Sequence, residues 1–275
     1  MIIRVPDTLN VNNSENYNVS IRLWPGGLSF FGYIPSEKDS FFTETVSLDP
    51  SIPLVQSLKE VFFENVCLSY VYNALHVISV SDRYTLVPES VFSEKGKDLL
   101  FSYCFQADGK LKVLAQPLPG FYSFLLYGIE NEVYEFMVRS LVNPQFIHFL
   151  SPMLSDWREK SMNCYPKQIY AVIHDGILDI VCFGQGELLL VNSFGYETEN
   201  DIIYFIMYVC KQLSVSQLED TIFFCGDKTM CGKIMPVIRK YIERVDFFAP
   251  KIRSYRAAVD QDLSMDIVTL VECGL

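Results

Sequence analysis

Ile169-Tyr170-Ala171-Val172-Ile173-His174-Asp175-Gly176-Ile177-Leu178-Asp179-Ile180-Val181-Cys182-Phe183 is the stretch whose reading decides the fold. Two apolar runs of strand length flank Asp175-Gly176, the commonest sort of two-residue hairpin turn. A second stretch of the same design, Val19 to Ile34, lies about 150 residues earlier and turns at Pro25-Gly26-Gly27. Each hairpin is followed by a third strand-like run, a helix-like run and a fourth strand-like run. A unit repeated in this order predicts a fold of two halves with a cleft between them.

Working outward, the second half reads cleanly. Gln168–His174, Ile177–Phe183 and Glu187–Ser193 predict a meander. A helix follows over Glu199 to Leu213, then a strand at Thr221–Cys225, a helix over Met230–Val245 and a last strand at Asp246–Ala249. In the first half, Val19–Trp24, Leu28–Ile34 and Phe41–Leu48 predict three strands. Pro53 precedes a helical stripe of Leu54, Val55, Leu58, Val61 and Phe62. Val66–Tyr72 reads as the central fourth strand, with His76–Val80 and Tyr84–Val87 as a further pair. Pro88 to Phe92 reads as a turn into a short helix. Leu99–Gln106 and Lys112–Pro117 predict strands around Asp108-Gly109, followed by one at Phe121–Tyr127. Residues 130–142 and 144–161 read as helices separated by Asn143-Pro144, the second interrupted near Pro152. The expected organisation is a polar leader over 1–18, a first half over 19–160 with added strands, and a second half over 161–275.

Composition bounds the function. Half of the 275 residues are hydrophobic, ample for a packed core, and the net charge is −11. That charge opposes nucleic-acid binding, which needs cations to release counterions from phosphates. The densest apolar run, Ile202 to Cys210, falls far short of the roughly 20 residues that span a bilayer. No apolar leader follows Met1, and eight scattered cysteines form no CxxC pair. These features predict a reduced, cytoplasmic protein without membrane insertion.

Three meander strands, then helix, strand, helix, strand, is the order of the ribonuclease H-like unit, and two such units in tandem make the actin-like ATPase architecture. The chain resembles an uncharacterised bacterial family, a domain of unknown function, whose members have that fold. The resemblance rests on Tyr84-Thr85-Leu86-Val87-Pro88-Glu89, on the doubled hairpins, and on Ile222-Phe223-Phe224-Cys225-Gly226 before a helix. More distantly it is similar to actin-like cytoplasmic proteins of pilus assembly and type II secretion. The resemblance implies an α/β protein of two ribonuclease H-like halves, and a nucleotide held by hairpin turns and a Gly-Gly loop.

The residues depart from that pattern. An actin-like phosphate turn wraps phosphate with backbone N–H groups and has an Asp that organises Mg²⁺ through water. Trp24-Pro25-Gly26-Gly27 has no Asp, and Pro25 has no N–H to give. His174-Asp175-Gly176-Ile177 is a tight turn with Ile177 where a hydroxyl residue is expected. In Cys225-Gly226-Asp227-Lys228-Thr229, Asp227 replaces the second glycine and sets a carboxylate where an anion should sit. Asp175, Gly176, Gly226, Asp227 and Lys228 are the candidate cleft residues. No catalytic residue, metal or cofactor is expected, with Mg-ATP as the alternative ligand.

Three other constellations compete. Asp175 or Asp179, Glu199 or Asp201, and Asp227 loosely match the carboxylates of a two-metal nuclease. Cys225 with His174 is a conceivable thiol–imidazole pair, against the default of a buried inert thiol. Arg239, Lys240, Arg244, Lys251, Arg253 and Arg256 read as a solvent face rather than a phosphate-binding patch. The apolar run Ile202 to Cys210 predicts a helix buried on several sides, with a partner-binding or self-dimerising stripe as the alternative. The leading expectation is a non-catalytic interaction or scaffold protein with protein partners. A divergent ATP-binding protein or ATPase is second and a metal-dependent nuclease third.

Overall fold

The computed structural model describes residues 2–106, 109–248, 252, 254–255 and 263–272. The chain forms two compact units, one built from Met1–Ser151 and the other from Pro152–Lys251. Ile252, Ser254 and Tyr255 join the first, and residues 263–272 the second.

The first unit begins with β1 (Asn18–Trp24), β2 (Gly27–Tyr33), β3 (Phe42–Ser47), α1 (Leu54–Glu64) and β4 (Ala74–Ser79). It continues through β5 (Tyr84–Pro88), α2 (Lys97–Ser102), β6 (Leu111–Leu118), β7 (Ser123–Glu130), α3 (Asn131–Ser140) and β8 (Gln145–His148). The main sheet has the order β3-β2-β1-β4-β8. Its first three strands are antiparallel; β4 and β8 run parallel to β1. Alternation along β1 turns Val19, Ile21 and Leu23 to one side, where they share a core with Leu58, Val61 and Phe62 of α1. Each such fully buried side chain contributes about 1.5–3 kcal/mol of hydrophobic stabilisation. β5, β7 and β6 make a separate three-stranded sheet around Val87, Phe101, Val113 and Leu126. The segment before β1 is docked as well: Ile3 and Leu9 are buried, and the Ile3 N–H donates to Asn65 Oδ1 at 2.7 Å.

The second unit contains β9 (Gln168–His174), β10 (Ile177–Gly184), β11 (Glu187–Gly195), α5 (Glu199–Gln212), β12 (Thr221–Gly226), α6 (Lys228–Ile238), β13 (Arg244–Phe247) and α7 (Met265–Glu272). Before β9 comes α4 (Leu150–Ser161). The sheet order is β11-β10-β9-β12-β13, the same arrangement as in the first unit. Ile169, Ala171, Ile173, Leu178, Ile180, Ile222 and Phe224 pack against Ile202 and Ile206 of α5 and Ile234 and Ile238 of α6. On the other face Trp157 of α4 stacks on Tyr170 at 4.2 Å, and Tyr170 on Phe223 at 5.2 Å. The repeated unit expected from the doubled hairpins is therefore present in both halves.

Several elements differ from the sequence reading. Val66–Tyr72 is not the fourth strand. Val66–Ser69 is a 3-10 turn, and Asn65, whose amide donates to Val61 O at 2.7 Å, closes the end of α1. The run read as His76–Val80 supplies the central strand instead, as β4 between β1 and β8, and does not pair with β5. Leu99–Gln106 is not a strand, because α2 ends there and Phe101 and Phe105 meet four residues apart at 4.8 Å. Asp108 of the expected turn lies outside the described residues. The 144–161 stretch holds β8 and then α4; Pro152 sits in the first turn of α4, where its missing N–H breaks no helical bond.

In the second unit, α6 stops at Ile238 rather than running to Val245. Arg239 then donates through Nε and Nη2 to Val245 O at 3.2 and 2.8 Å, holding the start of β13. Ala249 of the expected last strand lies outside the described residues. α5 is buried along one face by Ile202, Ile206, Val209 and Cys210, while Tyr204 and Tyr208 face outward, so it is not enclosed all round. α7 is a helix the sequence reading did not anticipate; every residue from Met265 to Val271 is buried.

Candidate functional site

The five candidate residues gather at one end of the second sheet. Asp175 and Gly176 form the β9–β10 turn with φ of 43° and 76°. Positive φ at both central residues is the signature of the tight hairpin turn, which leaves no wide loop of N–H groups. β12 runs parallel beside β9 and brings Gly226 level with Ile173. The Asp227 N–H donates to Ile173 O at 2.8 Å. Gly226 has φ of 91°, and a Cβ there would lie 2.1 Å from Ile173 O. The glycine is thus required by the approach of two backbones, which accounts for it without a ligand.

Asp227 is the N-cap of α6. Its carboxylate accepts the N–H groups of Thr229 at 2.8 Å and Met230 at 3.0 Å. Those are among the donors a helix N-terminus would offer a phosphate. Lys228 is exposed. Tyr196 lies beside this cluster; burial first, then the carboxylates of Asp227 and Asp175, push its phenol up against an opposing backbone hydrogen bond from Gly176. Across from α6, the Thr198 hydroxyl and the Asp201 carboxylate cap α5, and Lys233 pairs with Glu199 at 2.6 Å.

A second cluster was missed as a unit. His174 Nε2 donates to Asp179 Oδ2 at 2.6 Å, and Nδ1 faces Asp175 Oδ2 at 3.3 Å. The Ser193 hydroxyl donates to Asp179 Oδ1. Asp179 is fully buried and the His174 side chain is 13% exposed. Burial alone would lower the imidazole, but hydrogen bonds to Asp175 and Asp179 and their charges raise it to about 9. With a carboxylate at each ring nitrogen, both nitrogens carry protons. Asp179 stands between Ser193 and His174, so the imidazole does not touch the hydroxyl and cannot take its proton. The cluster pins β9, β10 and β11 together and does not activate a nucleophile. The sequence signal was an Asp inside an apolar strand, with Ser193 placed opposite it by the β10–β11 register.

The other candidate constellations do not assemble. Asp201 and Asp227 cap helices, and Asp179 is engaged with His174 and Ser193; among the described residues, no three His, Cys, Asp or Glu gather to hold a metal ion. The Cys225–His174 pair is overturned, because both ring nitrogens face carboxylates and burial pushes the Cys225 thiol far up, away from thiolate. His148 is fully buried and structural, with Nε2 against Ser81 O at 2.9 Å. His76 is buried in β4, where burial lowers its imidazole against an opposing hydrogen bond from Gln145. Arg244 donates to Glu219 O at 3.2 Å. Lys251, Arg253 and Arg256 lie outside the described residues. No helix among the described residues is long and apolar enough to cross a membrane.

Comparison with known proteins agrees with this frame. A Bacteroides thetaiotaomicron protein of actin-like ATPase fold and unknown function superposes with a TM-score of 0.84 at 29% identity, covering 96% of this chain and 98% of the other. A chain of the PilM–PilN type IV pilus biogenesis complex superposes with a TM-score of 0.52 at 10% identity, covering 94% of each chain. No curated protein matches the chain. The chain therefore has an actin-like ATPase fold, and with its family profile matching residues 6–245 it belongs to the family described as "Protein of unknown function (DUF3822)".

Proposed function

We propose that the protein is a non-catalytic interaction or scaffold protein, in which the nucleotide-binding end of an actin-like fold has been closed by its own side chains. The observation that carries this reading is the Asp227 carboxylate, hydrogen-bonded to the first free N–H groups of α6. A phosphate at the same place would lose those donors and meet the negative charge of Asp227, with Asp175 in the neighbouring turn. The tight Asp175-Gly176 turn supports the reading, since it offers no amide nest. Partner proteins are the expected ligands, and a homodimer is the alternative assembly.

Thermal unfolding with and without millimolar Mg-ATP tests the reading. A ligand that binds only the folded state raises the melting temperature by mass action. No rise is expected. A saturable rise that Lys228→Ala reduces would replace the scaffold reading with that of a divergent ATP-binding protein.

A further inference from the structure

β11 closes the second sheet on one side, and among the described residues no strand pairs with its far edge. It has nine residues, more than any other described strand. The two-residue turn at Asp175-Gly176 fixes which backbone groups that edge presents. His174 and Ile177 flank the turn as a hydrogen-bonded pair, so Ile177, Asp179 and Val181 bond toward β9. Leu178, Ile180 and Cys182 then bond toward Phe194, Asn192 and Leu190 of β11. The Tyr196 N–H continues the same alternation by donating to Gly176 O at 3.1 Å. Val191, between the inward positions, turns its N–H and C=O away from the sheet.

Exposed edges are usually blunted by Pro, Lys, a bulge or a covering element. β11 carries Leu188-Leu189-Leu190-Val191-Asn192-Ser193-Phe194 without Pro or Lys, and its one register shift lies near its start. Beside it, Phe194 stacks on Phe205 at 4.6 Å, and Tyr204 and Tyr208 are exposed on α5.

Charge selects the occupant. No Lys or Arg occurs between Lys167 and Lys211, whereas Glu187 opens the strand and Glu197, Glu199 and Asp201 follow it. A second copy paired antiparallel about Val191 would bring the acid opening each strand toward the acids after the end of the other, which is repulsive. At the start of β11, Gln185 and Leu189 border a pocket of about 590 Å³ that also holds Lys167, Arg244, Asp220 and Glu219, a balanced set of charges.

We propose that β11 is a docking edge for an extended segment of a partner protein, one of alternating apolar residues flanked by Lys or Arg, which adds to the sheet as a sixth strand. This rests on the reading of the chain as an interaction protein. Main-chain hydrogen bonds supply the affinity and the alternating side chains the specificity.

The probe is a synthetic peptide, Lys-Lys-Val-Thr-Val-Thr-Val-Lys-Lys, titrated into the full chain by fluorescence anisotropy and followed by amide hydrogen exchange. Saturable binding is expected, with exchange at Val191 slowed at least tenfold. Val191→Pro keeps the inward ladder and removes only the outward N–H, so it should weaken binding at least tenfold, while Val191→Thr leaves it within twofold. A peptide with Glu in place of Lys should bind at least tenfold more weakly. If Val191→Pro fails to fold, exchange at Val191 in the unsubstituted protein decides. Absence of binding, equal binding of the Glu peptide, unchanged exchange at Val191, or a homodimer joined at β11 would overturn the proposal. Those results leave the Mg-ATP experiment unaffected, so the two readings fail separately.

Discussion

The two five-stranded sheets share one strand order but differ in the chemistry buried on the face away from the helices that cross them. In the first sheet that face is mixed: Ser20 and Arg22 on β1, Ser29 on β2 and His76 on β4 are buried beside Phe31 and Ile78. The register makes two rows across three strands, Phe31–Ser20–His76 and Ser29–Arg22–Ile78, each with one apolar member. In the second sheet the equivalent face carries the Trp157, Tyr170 and Phe223 stack, with one ionic cluster at His174 and Asp179. The helix-facing sides are alike because α1 and α5 each need an apolar surface to cross. Helix packing therefore preserves one face of a duplicated sheet and leaves the other free to diverge.

Substitutions sharpen that contrast. Trp157→Ala should have the largest effect, removing about 3–5 kcal/mol of stability as a large aromatic truncation in a packed core, read by urea unfolding. Asp179→Ala comes next. It removes the shorter of the two carboxylate contacts of His174; breaking a buried pair from one side costs about 3–5 kcal/mol where burial is complete, and the remaining Asp175 contact and the partial exposure of His174 place this case at the low end.

The same pair sets a pH dependence. His174 is raised from its ordinary 6.5 to about 9, so its contribution is fully present below about 6.5 and is lost as pH rises through about 9. Unfolding free energy measured across that window should fall with rising pH, and the fall should be smaller in Asp179→Asn, where Asp175 alone still raises His174. Asp227→Ala should cost about 1 kcal/mol as the loss of an N-cap, without changing the pH slope. The smallest effect is expected at His76 on the mixed face of the first sheet. His76 Nδ1 has no partner among the described residues. His76→Leu should therefore shift stability by about 1 kcal/mol, since it loses one hydrogen bond, to Gln145, while removing the unpartnered Nδ1. A loss as large as that of Trp157→Ala would erase the distinction between the two faces.

Much of the architecture was legible in the sequence, because the doubled hairpins carry period-two apolar runs around turn residues and α1 and α5 carry helical stripes. The errors fall where local pattern and tertiary context part. Val66–Tyr72 has strand-forming residues, but Asn65 and the Tyr72 hydroxyl, which donates to Cys67 O at 2.5 Å, fold it into a turn. β8 has only four residues and directly follows Pro144, so it offers little periodicity to read. At the candidate site, the tightness of the Asp175-Gly176 turn was readable from residue identity alone. That Asp227 fills the end of α6 needed coordinates, because a cap is defined by where the carboxylate points. The His174–Asp179–Ser193 cluster depends on the register of three strands, which no single stretch of sequence reveals.

Calorimetric titration of the unsubstituted protein with Mg-ATP tests the closed anion site most directly. The account predicts no saturable heat at millimolar nucleotide. A saturable one-to-one isotherm that Lys228→Ala weakens would contradict it and make this end of the second sheet a working nucleotide site.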